Sequence, residues 1–385
     1  MDGIGACTTA LKRLGIDYEI ADYVEIDKYA VASYNAINGT NFEPQDILTW
    51  DKDIECDLIM HGSPCQDFSV AGQQAGGDEG SGTRSSLMYE TIRIVAKLKP
   101  KYVIWENVKN ILSQKHKHNF DNYLAKLEEL GYQNFYQVLN AKDYGIPQNR
   151  ERVFTISILG GGSFEFPPKQ ELKLRLKDML EDNVDEKYYL SDKLIQCFSS
   201  DGTGKYPRGE RFMQNLNRKN QDIANSIITT EGNKATCNFI KERNKKEQLC
   251  DYLLDNNMVQ ENDVIRHSYS QSRIEDWEHR GAEVNNMSPT LDTRSDCLGV
   301  VQKQENQLRI RKLTPKECWR LMGFNDEEFE KAVKVNSNAQ LYKQAGNSIV
   351  VNVLEGILKN LLRGTNENNN TALVQEQKEL TTNNT

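Results

Sequence analysis

Short apolar runs alternate with longer amphipathic segments between residues 17 and 159, and this alternation constrains the fold more than any other feature of the sequence. "CDLIMHG" and "KYVIWENV" have the length and composition of buried strands. "LMYETIRIVAKLKP" and "NFDNYLAKLEELG" instead carry apolar residues at helical spacing. Strands that alternate with helices build a mainly parallel sheet covered by helices. The sequence therefore predicts a doubly wound α/β domain.

Three further segments, "ADYVEID", "NFYQVLN" and "VFTISIL", have the apolar, β-rich composition of strands. The last two bracket a polar connection, "AKDYGIPQNRER". These strands extend the α/β pattern, so residues 1–160 are predicted to form one domain.

The pattern weakens after residue 160, and residues 165–308 are polar with weak periodicity. Two stretches there, "ANSIITTEGNKATCNFI" and "MSPTLDTRSDCLGVV", share a crude pattern of Ser, an apolar and Thr run, a polar turn and Cys. We interpret them as two similar hairpins within a smaller, mostly irregular or β domain.

Compact patterning returns in residues 309–362, which end in a predicted amphipathic helix. Its apolar stripe consists of Val350, Val353, Leu354, Ile357, Leu358 and Leu361. The tail, residues 363–385, is of low complexity and is predicted to be disordered.

The composition narrows the class of protein. No apolar run among the 385 residues approaches the roughly 20 that a membrane span needs, so we expect a soluble cytoplasmic protein. The eight cysteines occur singly, without a CxxC pair or a Cys/His cluster, and predict no metal site. The net charge of −8 neither indicates nor excludes nucleic-acid binding, which needs only a local basic face. "KYPRGERFMQNLNRKN" is such a stretch, with a solvated loop as the plain alternative.

Glycines at positions 3 and 5 stand at the start of a predicted helix, where the backbone can approach a ligand closely. Such small-residue turns are also common without a ligand. Glu25 follows about 20 residues later at a predicted strand end, where a carboxylate can accept hydrogen bonds from ribose hydroxyls. Together Gly3, Gly5 and Glu25 predict a nucleoside-containing cofactor.

Cys65 follows Pro64 directly at the end of the predicted strand "CDLIMHG". Proline favours an extended conformation of the residue before it, so the thiol is predicted to lie at the carboxyl edge of the sheet, where ligands bind. The alternative is a buried, inert cysteine, but a strand-end turn beside glycine-rich sequence suits core packing poorly.

Glu106 ends the next predicted strand and should reach the same edge as Cys65. Apolar neighbours such as Trp105 would raise the pKa of its carboxyl group and make it a proton donor. Arg150 and Arg152, two residues apart, would share a face of an extended segment and suit an anionic or carbonyl-bearing substrate. A surface ion pair within Arg150, Glu151 and Arg152 is the alternative.

In this order the motifs resemble those of the cytosine-C5 DNA methyltransferases, a bacterial and phage family that uses S-adenosylmethionine. The quoted motifs are "DGIGA", "EIDKYA", "DIL", "GSPCQDFS", "WENV", "QNRERVF" and "AGNSIVVNVL". The resemblance covers residues 1–160 and 309–362, and it implies a Rossmann-like catalytic domain. The middle, 165–308, stands where this family keeps its variable target-recognition domain.

The resemblance also implies residue roles. Cys65 would attack cytosine C6, Glu106 would hold and protonate N3, Arg152 would contact O2 and Arg150 would support the pocket. The cytosine would be flipped out of the duplex, with Gln66 and Ser69 near it in the loop after the cysteine. The implied S-adenosylmethionine contacts are Gly3, Ile4, Gly5, Glu25, Ile26, Asp46, Ile47, Pro64, Asn347 and Ser348.

One departure from the family concerns the first strand. Members carry an apolar strand ending in Phe before the glycine turn, whereas Met1 stands at that Phe position here. The sequence therefore predicts a sheet without this central strand: either a start lies upstream, or the chain is a shortened form with weaker cofactor binding and stability.

Two rival functions remain open. One is methylation of cytosine in transfer RNA, against which the long middle segment argues, since reading DNA sequence needs a separate surface. The other is a catalytically silent, cofactor-sensing DNA-binding protein, which the retained Cys65 and Glu106 disfavour.

The predicted partner is double-stranded DNA, read by a monomer. Candidate phosphate or guanine contacts are Arg208, Arg211, Arg273 and Arg294. A cognate restriction endonuclease is a candidate partner, and the recognised sequence does not follow from the residues.

Overall fold

The computed structural model describes residues 3–64, 68, 76–190, 223–227, 229, 239–243, 264–266, 284–285, 298–300 and 308–362. The helices within these ranges are α1 (Ala6–Arg13), α2 (Lys28–Asn38), α3 (Met88–Leu98), α4 (Lys117–Glu129), α5 (Pro315–Leu321), α6 (Asp326–Ala332), α7 (Asn338–Asn347) and α8 (351–362). The strands are β1 (Leu58–Gly62), β2 (Tyr102–Val108), β3 (Tyr132–Asn140), β4 (Gln148–Asn149), β5 (Glu151–Leu159), β6 (Ala224–Asn225), β7 (Phe239–Arg243), β8 (Val264–Arg266), β9 (Val284–Asn285), β10 (Leu298–Val300) and β11 (Leu308–Lys312). In this part of the chain, no helix is both long enough and apolar enough to cross a membrane.

The main sheet has four strands in the order β1-β2-β5-β3. β1 runs parallel to β2, and β5 runs antiparallel to both β2 and β3. The sheet is therefore mixed, because β3 and β5, which follow one another within this sheet, pair antiparallel beside the parallel strands. All four strands coincide with predicted strands, and the predicted α/β fold is confirmed.

The core explains why these segments form strands and helices. β2 is buried on both faces, as its continuous apolar run predicts. Aromatic side chains of α4 pack on β2. The Trp105 ring centroid lies 4.1 Å from that of Tyr123 and 5.6 Å from that of Phe120. α3 and α4 match the two predicted helices. Each fully buried side chain of this size stabilises the fold by about 1.5–3 kcal/mol.

The C-terminal segment returns to the first helices, as the resemblance implied. Thr314 and Glu317 form a capping box that starts α5, with Pro315 at its first position. The Thr9 hydroxyl on α1 donates to Glu328 Oε1 over 3.0 Å. The six residues of the apolar stripe predicted for α8 are all buried, so this helix is confirmed.

The strand predicted over "ADYVEID" is wrong, because residues 21–27 pair with no neighbouring strand. A cavity of about 1020 Å³ lies between this segment and β1, and both line it. A strand needs hydrogen-bonding partners along its edge, and here the cavity occupies the space where such a partner would lie. In the described part of the chain the sheet has no strand on that side of β1.

Two compact units divide the described residues. The larger comprises those within Met1–Val184, Phe198–Asn238 and Leu313–Thr385. The smaller comprises those within Asp185–Cys197 and Phe239–Lys312. Residues 165–184 thus belong to the larger unit, although the sequence analysis assigned them to the recognition domain. The functional division into catalytic and recognition parts stays a prediction.

The described residues do not show the first predicted hairpin as such, and the second is not tested by them. The two described ends of the first predicted hairpin form strands that pair with other segments. β6 pairs with β4, and β7 pairs with β11. These ends lie in different units, so local sequence similarity did not determine their partners. Of the second, only β10 is described, and it pairs with β8. Its remaining residues lie outside the described part of the chain, as does the tail from residue 363.

Candidate active site

Glu106 lies near the end of β2, directly beside β1. Gly62 is its partner in the parallel register, and a Cβ on Gly62 would lie 3.5 Å from Glu106 Oε2. Burial raises the pKa of Glu106, and the charges of Arg152 and Arg150 offset part of this rise. The carboxyl group therefore keeps its proton to a higher pH than an exposed glutamate does.

Arg152 forms an ion pair with Glu106, with 3.0 Å between Arg152 Nε and Glu106 Oε1. In the antiparallel register Arg152 lies opposite Val108, which places it diagonally across from Glu106 on the same sheet face. Its side chain is 19% exposed, so part of the guanidinium faces solvent. The pair offers a planar cation and a carboxyl group to one ligand.

Arg150 has a different environment from Arg152. It is buried and donates to three backbone oxygens: Ser348 O at 2.8 Å, and Ile227 O and Gly346 O, each at 3.1 Å. It thereby joins β5, the residues after β6 and the end of α7. The surface ion pair that the sequence allowed is absent from these described residues, since Glu151 pairs with Lys109 over 3.0 Å. The role of Arg150 in supporting the pocket stays a prediction.

Ser63 follows β1 and is held by two donors from β2. The Trp105 indole Nε1 donates to its hydroxyl oxygen over 2.8 Å, and Asn107 Nδ2 donates over 3.0 Å. Both donors flank Glu106 in sequence, so their side chains point to the same side of the strand. The motifs "GSPC" and "WENV" do not predict this contact, because neither motif indicates which residues pair across strands.

Cys65, Gln66 and Ser69 lie outside the described residues, and Pro64 is the last described residue before them. The prediction that Cys65 stands beside Glu106 therefore stays a prediction. The four arginines proposed to contact DNA, at positions 208, 211, 273 and 294, also lie outside the described residues.

His61 lies on β1, directly before Gly62, the register partner of Glu106. Burial lowers the pKa of His61 to about 3, so the ring is neutral. Its Nε2 lies 2.9 Å from the Tyr123 hydroxyl oxygen, which is 3.1 Å from that of Thr91. The ring is thus engaged in packing and hydrogen bonding between β1 and the helices.

Gly3 and Gly5 form a left-handed turn ahead of α1, and its role in cofactor binding stays a prediction. Gly3 and Gly5 have φ angles of 64° and 83°. A Cβ on Gly5 would lie 2.6 Å from the Tyr34 ring, so only glycine fits there. Gly3 N donates to Glu25 Oε2 over 3.2 Å, and the Tyr23 hydroxyl donates to Gly3 O. The turn and the acidic residue, 22 positions apart, therefore meet.

The other predicted cofactor residues differ in accessibility. Ile26 is 64% exposed, as an aliphatic side chain that covers a ligand ring would be in the free protein. Ile4 and Ile47 are buried, so their side chains pack in the core. Asp46 accepts from Leu48 N over 3.0 Å, which leaves its second oxygen for a donor.

Asn347 is the last residue of α7, and Ser348 follows it. Ser348 is buried and reaches the β5 region through Arg150, as described above. The role of Asn347 and Ser348 in cofactor binding stays a prediction. Among the described residues no cluster of His, Cys, Asp and Glu could hold a metal ion.

A family model described as C-5 cytosine-specific DNA methylase matches residues 1–363 of this chain. The chain is 38% identical over 308 residues to "Type II methyltransferase M2.ScrFI" of Lactococcus lactis subsp. cremoris, which covers 80% of this chain and 67% of that protein. It is 33% identical over 423 residues to "Orphan methyltransferase M.SPRI" of Bacillus phage SPR, which covers 94% of this chain and 95% of that protein.

The fold is also similar to that of solved structures. One is the Entamoeba histolytica methyltransferase EhMeth, with a TM-score of 0.62 and 16% identity over 94% of this chain and 96% of that one. This likeness concerns the fold. The motifs, the sheet that brings Glu106 to Arg152, and the match of the family model over residues 1–363 lead to one conclusion: the chain belongs to the C-5 cytosine-specific DNA methylase family and is a DNA (cytosine-5-)-methyltransferase.

Proposed function

We propose that this methyltransferase acts on a cytosine in a specific duplex sequence, with S-adenosyl-L-methionine as methyl donor and a covalent adduct to Cys65. The buried Glu106–Arg152 pair carries the proposal, because it supplies a proton donor and a planar cation at one strand end. A cytosine presents a ring nitrogen, N3, next to a carbonyl oxygen, O2, and the pair is complementary to these two atoms.

Cys65 acts as the nucleophile in the proposed mechanism. Its thiolate adds to C6 of the cytosine, the C5–C6 double bond shifts its electrons toward N3, and Glu106 delivers a proton there. The ring then carries an electron-rich C5 that an electrophilic methyl group can alkylate. Water takes the C5 proton, the N3 proton returns to Glu106, and the thiolate leaves C6 as the C5–C6 double bond forms again, which frees Cys65. Covalent catalysis thus divides one difficult step into easier ones.

Glu106 suits this role because burial raises its pKa. A carboxyl group that stays protonated nearer neutral pH can donate to N3 as negative charge develops in the ring. Arg152 stabilises the same charge through O2: among the described contacts Nε meets Glu106 and Nη1 donates to Glu151 O, so Nη2 is the donor left for the base. Arg150 holds the wall of the pocket by its bonds to the backbone near Ile227 and Ser348.

The residues present fit S-adenosylmethionine. Gly3 and Gly5 adopt positive φ angles, and their lack of side chains lets a ligand approach the backbone of the turn closely. Glu25 accepts a hydrogen bond from this turn, and the aliphatic side chain of Ile26 is exposed. We assign the ribose hydroxyls to Glu25, the adenine ring to Ile26 and its amino edge to Asp46 and the Ile47 backbone. Pro64 lies toward the methionine end, with Gly3, Ile4, Gly5, Asn347 and Ser348 completing the site. The cofactor supplies a methyl group on a sulfonium, which makes the group electrophilic.

A cytosine within a duplex cannot reach such a pocket, so the base is flipped out. We assign its stabilisation to Gln66 and Ser69, and sequence recognition to the part of the chain between the catalytic segments. Monomeric action, a cytoplasmic location and a cognate restriction endonuclease remain predictions of the same proposal.

The testing experiment is methylation of unmodified duplex DNA by the purified chain with S-adenosylmethionine, mapped by bisulfite sequencing. We expect protected cytosines in one short sequence context, and no protection with Cys65→Ser. Methylation that persists in Cys65→Ser would refute the nucleophile. Methylation of transfer RNA but not of duplex DNA would favour the alternative function, methylation of cytosine in transfer RNA.

A further inference from the structure

Phe68, three residues after Cys65, is anchored in the core of the larger unit. Its ring is fully buried and meets the His116 ring edge-on at 5.3 Å between centroids. Gly77 provides the space for it, since a Cβ there would lie 2.4 Å from Phe68 Cζ. Any larger residue at position 77 would displace the phenylalanine. The chain behind Cys65 is therefore fixed by a filled pocket.

Asn110 adds a polar contact to this anchor. Its Nδ2 donates to the backbone oxygen of Phe68 over 2.6 Å. Asn110 lies in the short 3₁₀ turn Lys109–Leu112, directly after β2. It is partly buried, so the bond has only limited competition from water.

The chain ahead of Cys65 is held from the same segment. Asn107 donates to Ser63, two residues before the cysteine, and Asn110 donates to Phe68, three residues after it. Asn107 directly follows Glu106, so both asparagines belong to the segment that carries the carboxyl group. The two ends of the stretch from Ser63 to Phe68 are thus tied to the residue that Cys65 must approach.

We propose that Asn110 is a positioning residue that acts through Phe68 to set the place of Cys65 relative to Glu106. This inference rests on the proposed function of Cys65. Asn110 does not touch the reacting atoms; it limits the positions that the thiol can take. Attack of a thiolate on C6 depends steeply on distance and angle, and a misplacement of about 1 Å costs roughly 100-fold in rate.

The test compares Asn110→Ala with Asn134→Ala as a matched control. Asn134 Nδ2 also donates to a backbone oxygen, that of Leu124, over 3.1 Å, but on the far part of the sheet. A second variant, Asn110→Asp, keeps the shape of the side chain and removes the donor, which covers the case that the alanine variant folds poorly.

The main readout is the single-turnover rate of adduct formation on duplex DNA with 5-fluorocytosine at the target. Fluorine cannot leave C5 as a cation, so the thiol adduct persists after methyl transfer and can be counted. We expect Asn110→Ala and Asn110→Asp to slow this step about 10- to 100-fold, with KM for DNA and cofactor nearly unchanged. Asn134→Ala should form the adduct at the wild-type rate. A normal rate in both Asn110 variants overturns the proposal, as does an equal loss in Asn134→Ala.

Amide hydrogen exchange separates this inference from the proposed function. Asn110→Ala should speed the exchange of amides in a peptide that covers residues 63–68, while a peptide from β5 stays unchanged. If the wild-type protein forms no adduct, the proposed function fails, and exchange alone decides: faster exchange supports the tie between Asn110 and Phe68, and unchanged exchange overturns it.

Discussion

Arg152 Nε lies 3.0 Å from Glu106 Oε1, and this contact joins the adjacent strands β2 and β5 at the candidate active site. The pair is buried on the side of Glu106 and partly open on the side of Arg152. A base could therefore approach the guanidinium without first breaking the strand pairing.

The raised pKa of Glu106 predicts a pH dependence of stability. A group whose pKa is higher in the folded than in the unfolded protein contributes stability below its unfolded pKa, and this contribution is lost as pH rises through the folded pKa. The free energy of unfolding of the wild type relative to Glu106→Gln should therefore decrease between acidic and neutral pH. Urea unfolding of both proteins across this range measures the difference. A difference that grows with pH would contradict the raised pKa.

Glu106→Gln should also abolish most of the methylation. A glutamine has the same shape but cannot transfer a proton to N3, and general acid catalysis contributes typically about 10²–10⁴-fold. The single-turnover rate should fall by this order, while the affinity for S-adenosylmethionine stays close to that of the wild type. Equal losses of rate and cofactor affinity would point to a structural effect instead.

Replacement of Arg152 by methionine should raise the pKa of Glu106 further, because Arg152 is the larger of the two charges that lower it. The alkaline limb of the pH–rate profile should shift to higher pH, although the maximal rate falls because the contact to O2 is lost. Profiles of both proteins under single-turnover conditions provide the measurement. A shift toward lower pH would show that another group determines that limb.

Arg150 should matter more for stability than for chemistry. Arg150→Met removes the donors to Ile227, Gly346 and Ser348 and leaves buried carbonyl oxygens unpaired, at a cost on the order of 3 kcal/mol. Lys117→Met, which removes an exposed ion pair with Asp121, should cost far less. Denaturant unfolding compares the two. Similar losses would mean that the Arg150 bonds are not formed in solution.

The glycine turn predicts a difference between two glycine-to-alanine substitutions. Gly39→Ala meets only the strain of a φ angle of 70°, since a Cβ there contacts nothing within 4 Å. Gly5→Ala adds a clash with the Tyr34 ring at 2.6 Å, so its loss of stability should exceed that of Gly39→Ala by about 1–3 kcal/mol. Thermal unfolding measures the difference, and calorimetric titration with S-adenosylmethionine should show weaker binding for Gly5→Ala alone.

Local sequence patterns determined most of the sheet and the helices. The apolar runs of β1 and β2 and the helical spacing in α4 and α8 predict which face of each element is buried, because that face repeats with the period of the backbone. The sequence also determined that Gly3, Gly5 and Glu25 belong together, since the glycine turn and the acid occur at a characteristic separation.

Only the tertiary structure decided the rest, since long-range contacts have no local period. "ADYVEID" has a strand composition, yet among the described residues no strand pairs with residues 21–27, which border a cavity instead. The triplet with Arg150 also allows a surface ion pair, but the fold buries this side chain among backbone oxygens from distant segments. The bond from Asn110 to Phe68 depends on how β2 lies beside the chain after β1. The sequence thus indicated which residues are candidates for the chemistry, and the packing of distant segments decided which of them hold the others in place.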